Sequence, residues 1–274
     1  MGENLQRTDA PDLEFTGERM IPECSDATTF WEHIYRYRLA AKYVQGKRVL
    51  DIACGEGYGS ASLAASGAAH VLGVDISQEA CDHATARYGI ETRVGSAEDI
   101  PLESKSVDVL VSFETIEHVP HPARMIEECA RVVRPGGLIV ISTPNRDVYS
   151  PENQYHCSEM NEAEFLAMLR PHVASYTLFS QRPRETKWLT ARSFSAQGSR
   201  WERLRGRGKV DSLLNRLFMP ETLGLSFDAA RHDPVRVILA RDRLFSRIAN
   251  HYDVWPRSVS SGEVPAYIIA VARV

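Results

Sequence analysis

Residues Val49 to Ser60 read VLDIACGEGYGS, in which an acid is followed by three glycines spaced by two. Glycines so spaced, after an apolar run, let the backbone turn sharply and approach a ligand, and such loops hold phosphates at a helix N-terminus. Asp51 alters that chemistry. A carboxylate at the mouth of the loop repels a pyrophosphate and attracts a cation. A second acid, Asp75, ends the run HVLGVD 24 residues later, where an acid meets the two hydroxyls of an adenosine ribose. The pair asks for an adenosine ligand with positive charge and no phosphate.

Placing the two acids together takes strands that alternate with helices. RVLDIA, HVLGVD, ETRVGS, VDVLVSF and LIVIST are short strand-like runs, and helical patterns start at Tyr58, at Ser77, near Pro122 and near Asn161. That alternation specifies a parallel sheet covered on both faces. Ser77 is placed to cap its helix, and Arg134-Pro135-Gly136-Gly137 is a stop and turn before the next strand. SYTLFSQ and PAYIIAVARV add two strands. Phe30, Ile34, Tyr37, Ala41 and Val44 fall on one face of a first helix that Gly46 ends. The expected fold is α/β, Rossmann-like and doubly wound, with a mostly parallel seven-stranded sheet and a helical insertion before the last strand. Its parts are an arm and cap helix over 1–45, a cofactor-binding core over 46–181, an insertion over 182–264 and the last strand over 265–274. The insertion is too long for an ordinary connection and is expected to carry helices of its own, including Asp211–Phe218.

Dinucleotides and S-adenosylmethionine are the two ligand classes that fit a glycine loop with a ribose-binding acid. S-adenosylmethionine has an ammonium, a sulfonium and no phosphate, so Asp51 favours it. VLDIACGEGYGS, VLGVDIS, VGSAEDIPLESKSVDVLVSFETIEHV and RVVRPGGLIVISTPN, in this order, resemble the successive motifs of class I S-adenosylmethionine-dependent methyltransferases over about Lys47–Asn145, with an extension through YSPENQYHCSEMNEAEFLAML. Ala53 stands where that family often has its first glycine. The resemblance implies that Asp51 and the Ala53–Gly57 backbone, Gly55 and Gly57 included, face the methionine moiety and that Asp75 takes the ribose. It also implies that Ile76 packs on adenine, that Ala97 with Glu98 or Ser96 meets the adenine edge, and that Phe113 lies beneath the methionine part. Tyr37 and His33, on the first helix, are expected to close over the cofactor, with His33 toward the acceptor.

Methyl transfer is an in-line displacement from an excellent leaving group, so positioning supplies much of the rate. A hydroxyl acceptor also needs a base. His118, in ETIEHV after the fourth strand, is the first candidate for base or for acceptor orientation, and His156, in NQYHCSEM, is the second. HExxH and DxD pairs are missing, and Asp147, Glu152 and His156 are a poor magnesium set, so metal-independent transfer is expected.

The 274 residues are 43% apolar and 25% charged with a net charge of −4, ordinary for a soluble globular protein. No apolar run reaches the roughly 18 residues that span a bilayer, and the first residues lack a signal-peptide pattern, so a cytoplasmic location is expected. Five cysteines without a CxxC pair suggest neither disulfides nor a zinc site. Residues 182–209 hold nine Lys or Arg against two acids, and Arg203, Arg205 and Arg207 within them are candidates for binding an anionic acceptor such as a nucleotide-linked sugar, a phosphorylated glycan or a lipid-linked intermediate. Trp188, Phe194 and Trp201 suit stacking on sugars or bases. The acidic chain shows no RNA-binding module, which argues against nucleic acid. FTGERMIP and FWEHIYRYRLA resemble the openings of bacterial methyltransferases of glycan biosynthesis. The expected function is methyl transfer to a hydroxyl or other oxygen of a small or glycan-like acceptor. The rival readings are N- or O-methylation of a secondary metabolite, a catalytically silent S-adenosylmethionine-binding regulatory domain, and a nicotinamide oxidoreductase, which Asp51 disfavours.

Overall fold

The structure is a computed structural model that describes residues 13, 19–148, 153–183, 231–239, 252–256 and 266–274. Strands β1 (Arg48–Ile52), β2 (His70–Asp75), β3 (Glu91–Val94), β4 (Val107–Phe113) and β5 (Val133–Pro144) lie parallel in the order β3-β2-β1-β4-β5. Beyond β5 the sheet continues with β6 (Ser175–Pro183), β7 (Tyr252–Pro256) and β8 (Tyr267–Arg273). β8 enters antiparallel between β5 and β6. Strands β1 to β6 and β8 form the mostly parallel seven-stranded sheet that the sequence specifies, and β7 adds an eighth, antiparallel, on the outer edge of β6.

Alternation along the strands sorts side chains into two cores. Val49 of β1 and Val109, Val111 and Phe113 of β4 face one cluster with Phe30, Ile34 and Tyr37 of helix α1 (Ala27–Ala40) and Leu63 of α2 (Tyr58–Ala65). Leu50, Ile52 and Leu110 face the opposite cluster. There they meet Met125, Ile126, Cys129 and Val132 of α4 (Pro122–Val132) and Phe165 and Leu169 of α5 (Glu162–Leu169). Helix α3 (Gln78–Tyr88) packs on β2 and β3, and α6 (Pro234–Leu239) packs on α1 and α2.

The local signals set most boundaries. Ser77 accepts the Ala80 N–H at 3.2 Å at the start of α3, and Asn161 with Glu164 closes a reciprocal capping box on α5. Helix α1 begins earlier than its apolar spacing indicates. The Asp26 carboxylate accepts the Thr29 N–H there, a capping bond. The helix also ends earlier, at Ala40, and passes through a 3-10 turn, Ala41–Tyr43, to Gly46 at φ +68°. The expected turn at Arg134–Gly137 does not separate helix from strand. β5 starts at Val133 directly after α4, and these residues are an irregularity inside it, where the pairing jumps from Val107↔Val133 to Val109↔Leu138. The expected helix over Asp211–Phe218 lies outside the described residues, as does most of the 1–18 arm.

Candidate cofactor and acceptor site

The carboxyl ends of β1, β2 and β4 open on a cleft of about 390 Å³. Period-two alternation puts Asp51 on the same face of β1 as Val49, inside the α1 core and not in water. It is fully buried. Its oxygens accept the Ser60 hydroxyl at 2.7 Å and the Tyr37 phenol at 3.2 Å. Burial pushes the Asp51 carboxyl up to about 7 against the pull of these two donors, and Asp75 adds to the rise. Asp51 thus stands one hydrogen bond behind the wall, while Tyr37, edge-on to Phe113 and Tyr58, forms the wall itself.

The loop between β1 and α2 turns through left-handed backbone. Ala53 has φ +56°, Gly55 +53° and Gly57 +97°. For Ala53 that conformation costs about 1–2 kcal/mol, which is why glycine is the usual occupant. Ala53 and Gly55 line the cleft and Gly57 lies behind it, its α-carbon pressed so close to Ala84 of α3 that a methyl there would overlap the Ala84 side chain. Gly59 makes a similar close approach to the Tyr37 ring.

Asp75 ends β2 nearly buried. One oxygen accepts the Gly55 N–H at 2.8 Å and the other the Ser77 N–H at 2.9 Å, so this carboxylate fixes the glycine loop and still faces the cleft. Ile76, next to it, is 78% exposed, a large aliphatic side chain left open at the cleft. Ser96, Ala97 and Glu98 form the opposite rim. The Ser96 hydroxyl accepts the Glu98 N–H at 3.1 Å, and Glu98 Oε1 accepts the His121 N–H at 2.7 Å. Glu98 is therefore partly spent on the loop, and Ala97 presents backbone to the rim.

His33 and Tyr58 close the α1 side, with His33 Nδ1 3.2 Å from the Tyr58 hydroxyl. Burial, helped by Arg36, holds the His33 imidazole well below its ordinary range and so neutral. Arg19, Met20 and Glu114 also line the cleft, although the sequence assigned none of them a role. Glu114 has one available mark, its place directly after β4. It adopts φ +52°, accepts the Ser142 hydroxyl at 2.6 Å and pairs with the buried Arg36 at 3.5 Å. Non-glycine residues held in this region recur at functional sites.

His118, in the 3-10 turn Ile116–His118, lines the cleft. His156 does not line it but stacks edge-on against His118, with ring centres 4.8 Å apart. Between them and the sheet lies Glu117, buried, whose carboxyl is driven well up by burial and by Glu114. Arg203, Arg205, Arg207 and the aromatics Trp188, Phe194 and Trp201 lie outside the described residues.

These features fit S-adenosylmethionine. Glycine backbone approaches closely, Asp75 offers carboxylate oxygens to the cleft, Ile76 gives an open apolar surface, and a buried acid, Asp51, lies behind the loop. A doubly wound sheet bearing such a cleft resembles the core of class I S-adenosylmethionine-dependent methyltransferases. Residues 50–141 match the family described as methyltransferase domain. A probable S-adenosylmethionine-dependent methyltransferase of Mycolicibacterium smegmatis is 41% identical over 165 residues, covering 57% of this chain and 63% of that protein. A ubiquinone biosynthesis O-methyltransferase of Aromatoleum aromaticum is 42% identical over 108 residues, covering 37% of this chain and 46% of that one. The chain thus spans less than two thirds of the length of these curated relatives. A solved structure from Thermotoga maritima, described as an S-adenosylmethionine-dependent methyltransferase and possible histamine N-methyltransferase, has a TM-score of 0.55 at 13% identity, covering 90% of this chain and 91% of that one; this likeness concerns the fold. Residues 50–141 thus match a methyltransferase domain, and over 165 residues the chain is similar to a bacterial protein described as a probable S-adenosylmethionine-dependent methyltransferase; S-adenosylmethionine is the cofactor that this likeness and the cleft support.

Proposed function

We propose that this protein methylates a hydroxyl oxygen of a small or glycan-like acceptor, with Asp75 holding the ribose, Ile76 and Ala97 the adenine, and the Ala53–Gly57 backbone, Tyr37 and Phe113 the methionine part. The observation that carries the reading is Asp51 buried behind the glycine loop, an acid whose ionised form suits a cationic ligand and opposes a pyrophosphate. When bound, S-adenosylmethionine supplies an activated methyl group and a neutral sulfide leaving group. The chain then has to orient the acceptor, exclude water and receive a proton. Tyr37, Phe113 and Tyr58 wall the cleft with rings. His118 has its Nδ1 3.1 Å from the Tyr155 carbonyl oxygen and lines the cleft where an acceptor would sit.

Oxygen as the methylated atom is supported by the relative that acts as an O-methyltransferase. An anionic acceptor is supported by the surplus of seven positive charges in residues 182–209, and a cytoplasmic site of action agrees with cofactor supply. Among the described residues no helix is long and apolar enough to cross a membrane.

The test is incubation of the full chain with methyl-labelled S-adenosylmethionine and fractionated metabolites and glycans, followed by mass spectrometry of labelled products. Label on an oxygen of an anionic small molecule or glycan is the expected result. Binding of NAD in place of S-adenosylmethionine would sink the reading.

A further inference from the structure

The turn after β4 and the segment after β5 are stitched together around one residue. The backbone N–H groups of Cys157 and Ser158 both donate to the Glu117 carbonyl, at 2.8 and 3.0 Å. This brings His156 against His118, so that a Glu117 oxygen and one nitrogen of each imidazole all lie within 4.8 Å of one another.

The far sides of the two rings fix their tautomers. His118 Nδ1 is 3.1 Å from the Tyr155 carbonyl oxygen, which can only accept, so that nitrogen carries the proton and the lone pair is on Nε2. His156 Nδ1 donates in the same way to Glu159 Oε1 at 3.0 Å. A carbonyl or carboxylate behind the imidazole is how metal-ligating histidines are oriented. Glu117 is 1% exposed, and its Oε2 accepts the Thr143 hydroxyl at 3.3 Å. Its Oε1 has no hydrogen-bond partner and stands 4.0 Å from His118 Nε2, too far for a hydrogen bond. A buried carboxylate oxygen without a donor is costly, and a cation seated between it and the two imidazoles removes that cost.

We propose that Glu117, His118 and His156 bind one divalent transition-metal ion at the acceptor end of the cleft. Its existence rests on these three residues alone; its role rests on the methyltransferase reading above. Two imidazoles and one carboxylate suit zinc, iron or manganese better than magnesium or calcium, which prefer all-oxygen shells. Ligand bonds of about 2.0–2.2 Å require the three side chains to draw together by about an ångström. His118 lines the cleft, so a coordination position left open there would take the acceptor oxygen and lower the pKa of its hydroxyl, whose proton passes to solvent water before the oxygen takes the methyl group and the neutral sulfide leaves. His118 then acts as a ligand and the ion takes over the activation assigned above to a base. The absence of paired-ligand spacing, which led to the expectation of metal-independent transfer, follows from the ligands coming from two separate segments.

The test uses the full chain, treated with chelator and dialysed, and titrated calorimetrically with zinc alone, then with manganese alone. One ion per chain is expected. Glu117→Gln and His156→Ala should each weaken zinc by at least about tenfold while the far-ultraviolet spectrum stays that of the folded chain, and Glu159→Gln, which removes only the support behind His156, should weaken it by about 10–100-fold. Glu159→Gln keeps the test decisive where a ligand variant unfolds. No binding, or the same affinity in these variants, overturns the proposal. Binding of S-adenosylhomocysteine is measured in parallel: its loss in the wild type would sink the methyltransferase reading and leave the metal result standing.

Discussion

The phenol of Tyr37 stands 3.2 Å from both carboxylate oxygens of Asp51, joining the helix over the cleft to the first strand of the sheet. Tyr37→Phe keeps the ring against Phe113 and Tyr58 and removes one donor from a buried acid. Chemical denaturation should show a loss of about 1–3 kcal/mol, and calorimetry a several-fold weaker S-adenosylmethionine. Unchanged values for both would mean that the phenol contributes only its ring.

Asp51 also sets a pH dependence. Its folded value of about 7 lies above the 3.8 of an ordinary aspartate, so between these two the native state holds the proton and the unfolded chain does not. Stability of the ligand-free protein therefore falls as pH rises through that window. A cationic ligand favours the ionised form, so S-adenosylmethionine should bind more tightly as pH rises toward 7 and should release a proton when it binds at pH 6. Tyr37, Ser60 and Asp75 are the groups that face the carboxylate. Calorimetry in buffers of different ionisation enthalpy reads the proton directly, and Asp51→Asn should abolish its release.

Gly59→Ala sets two effects against each other. Helix propensity alone favours alanine by about 1 kcal/mol. The added methyl overlaps the ring of Tyr37, and overpacking of this kind costs about 1–3 kcal/mol. Steric overlap should win, with a lower melting temperature and weaker cofactor binding together. A stabilised variant would show that the ring moves aside freely.

Asp75→Ala should weaken S-adenosylmethionine by about 1.5–3 kcal/mol, the range for hydrogen bonds to a charged group. Because Asp75 also receives the Gly55 and Ser77 N–H groups, the ligand-free protein should melt earlier as well. Calorimetry and thermal melts separate the two losses. Intact affinity in a folded variant would remove Asp75 from the ribose position.

The strands β1 to β5 and the cap at Ser77 were legible because each rests on local chemistry: apolar alternation, a side-chain oxygen at a helix start, a glycine after an acid. Ile76 illustrates a reading that needed the fold. Its type says core, yet it is open at the cleft because it directly follows the last residue of β2. Glu114 and Arg36 were not legible, since their pairing joins α1 to the end of β4. The same holds for Glu117, His118 and His156. Nothing in the spacing of residues 117 and 118 shows that backbone bonds from Cys157 and Ser158 will return a second histidine to them. β7 escaped notice because a strand of five residues is too short to stand out inside a long insertion.

The antiparallel β8 is wedged between β5 and β6, although both are made well before it. At a synthesis rate of roughly 5–20 residues per second, the stretch from Pro183 to Tyr267 keeps the growing chain waiting for several seconds. During that interval Leu138–Pro144 and Ser175–Gln181 each have a row of backbone donors and acceptors that only β8 will later satisfy. Such edges recruit strands from other molecules. A chain in which β8 has not yet been made thus carries two edges open to strands of other molecules, and the arrival of β8 closes both.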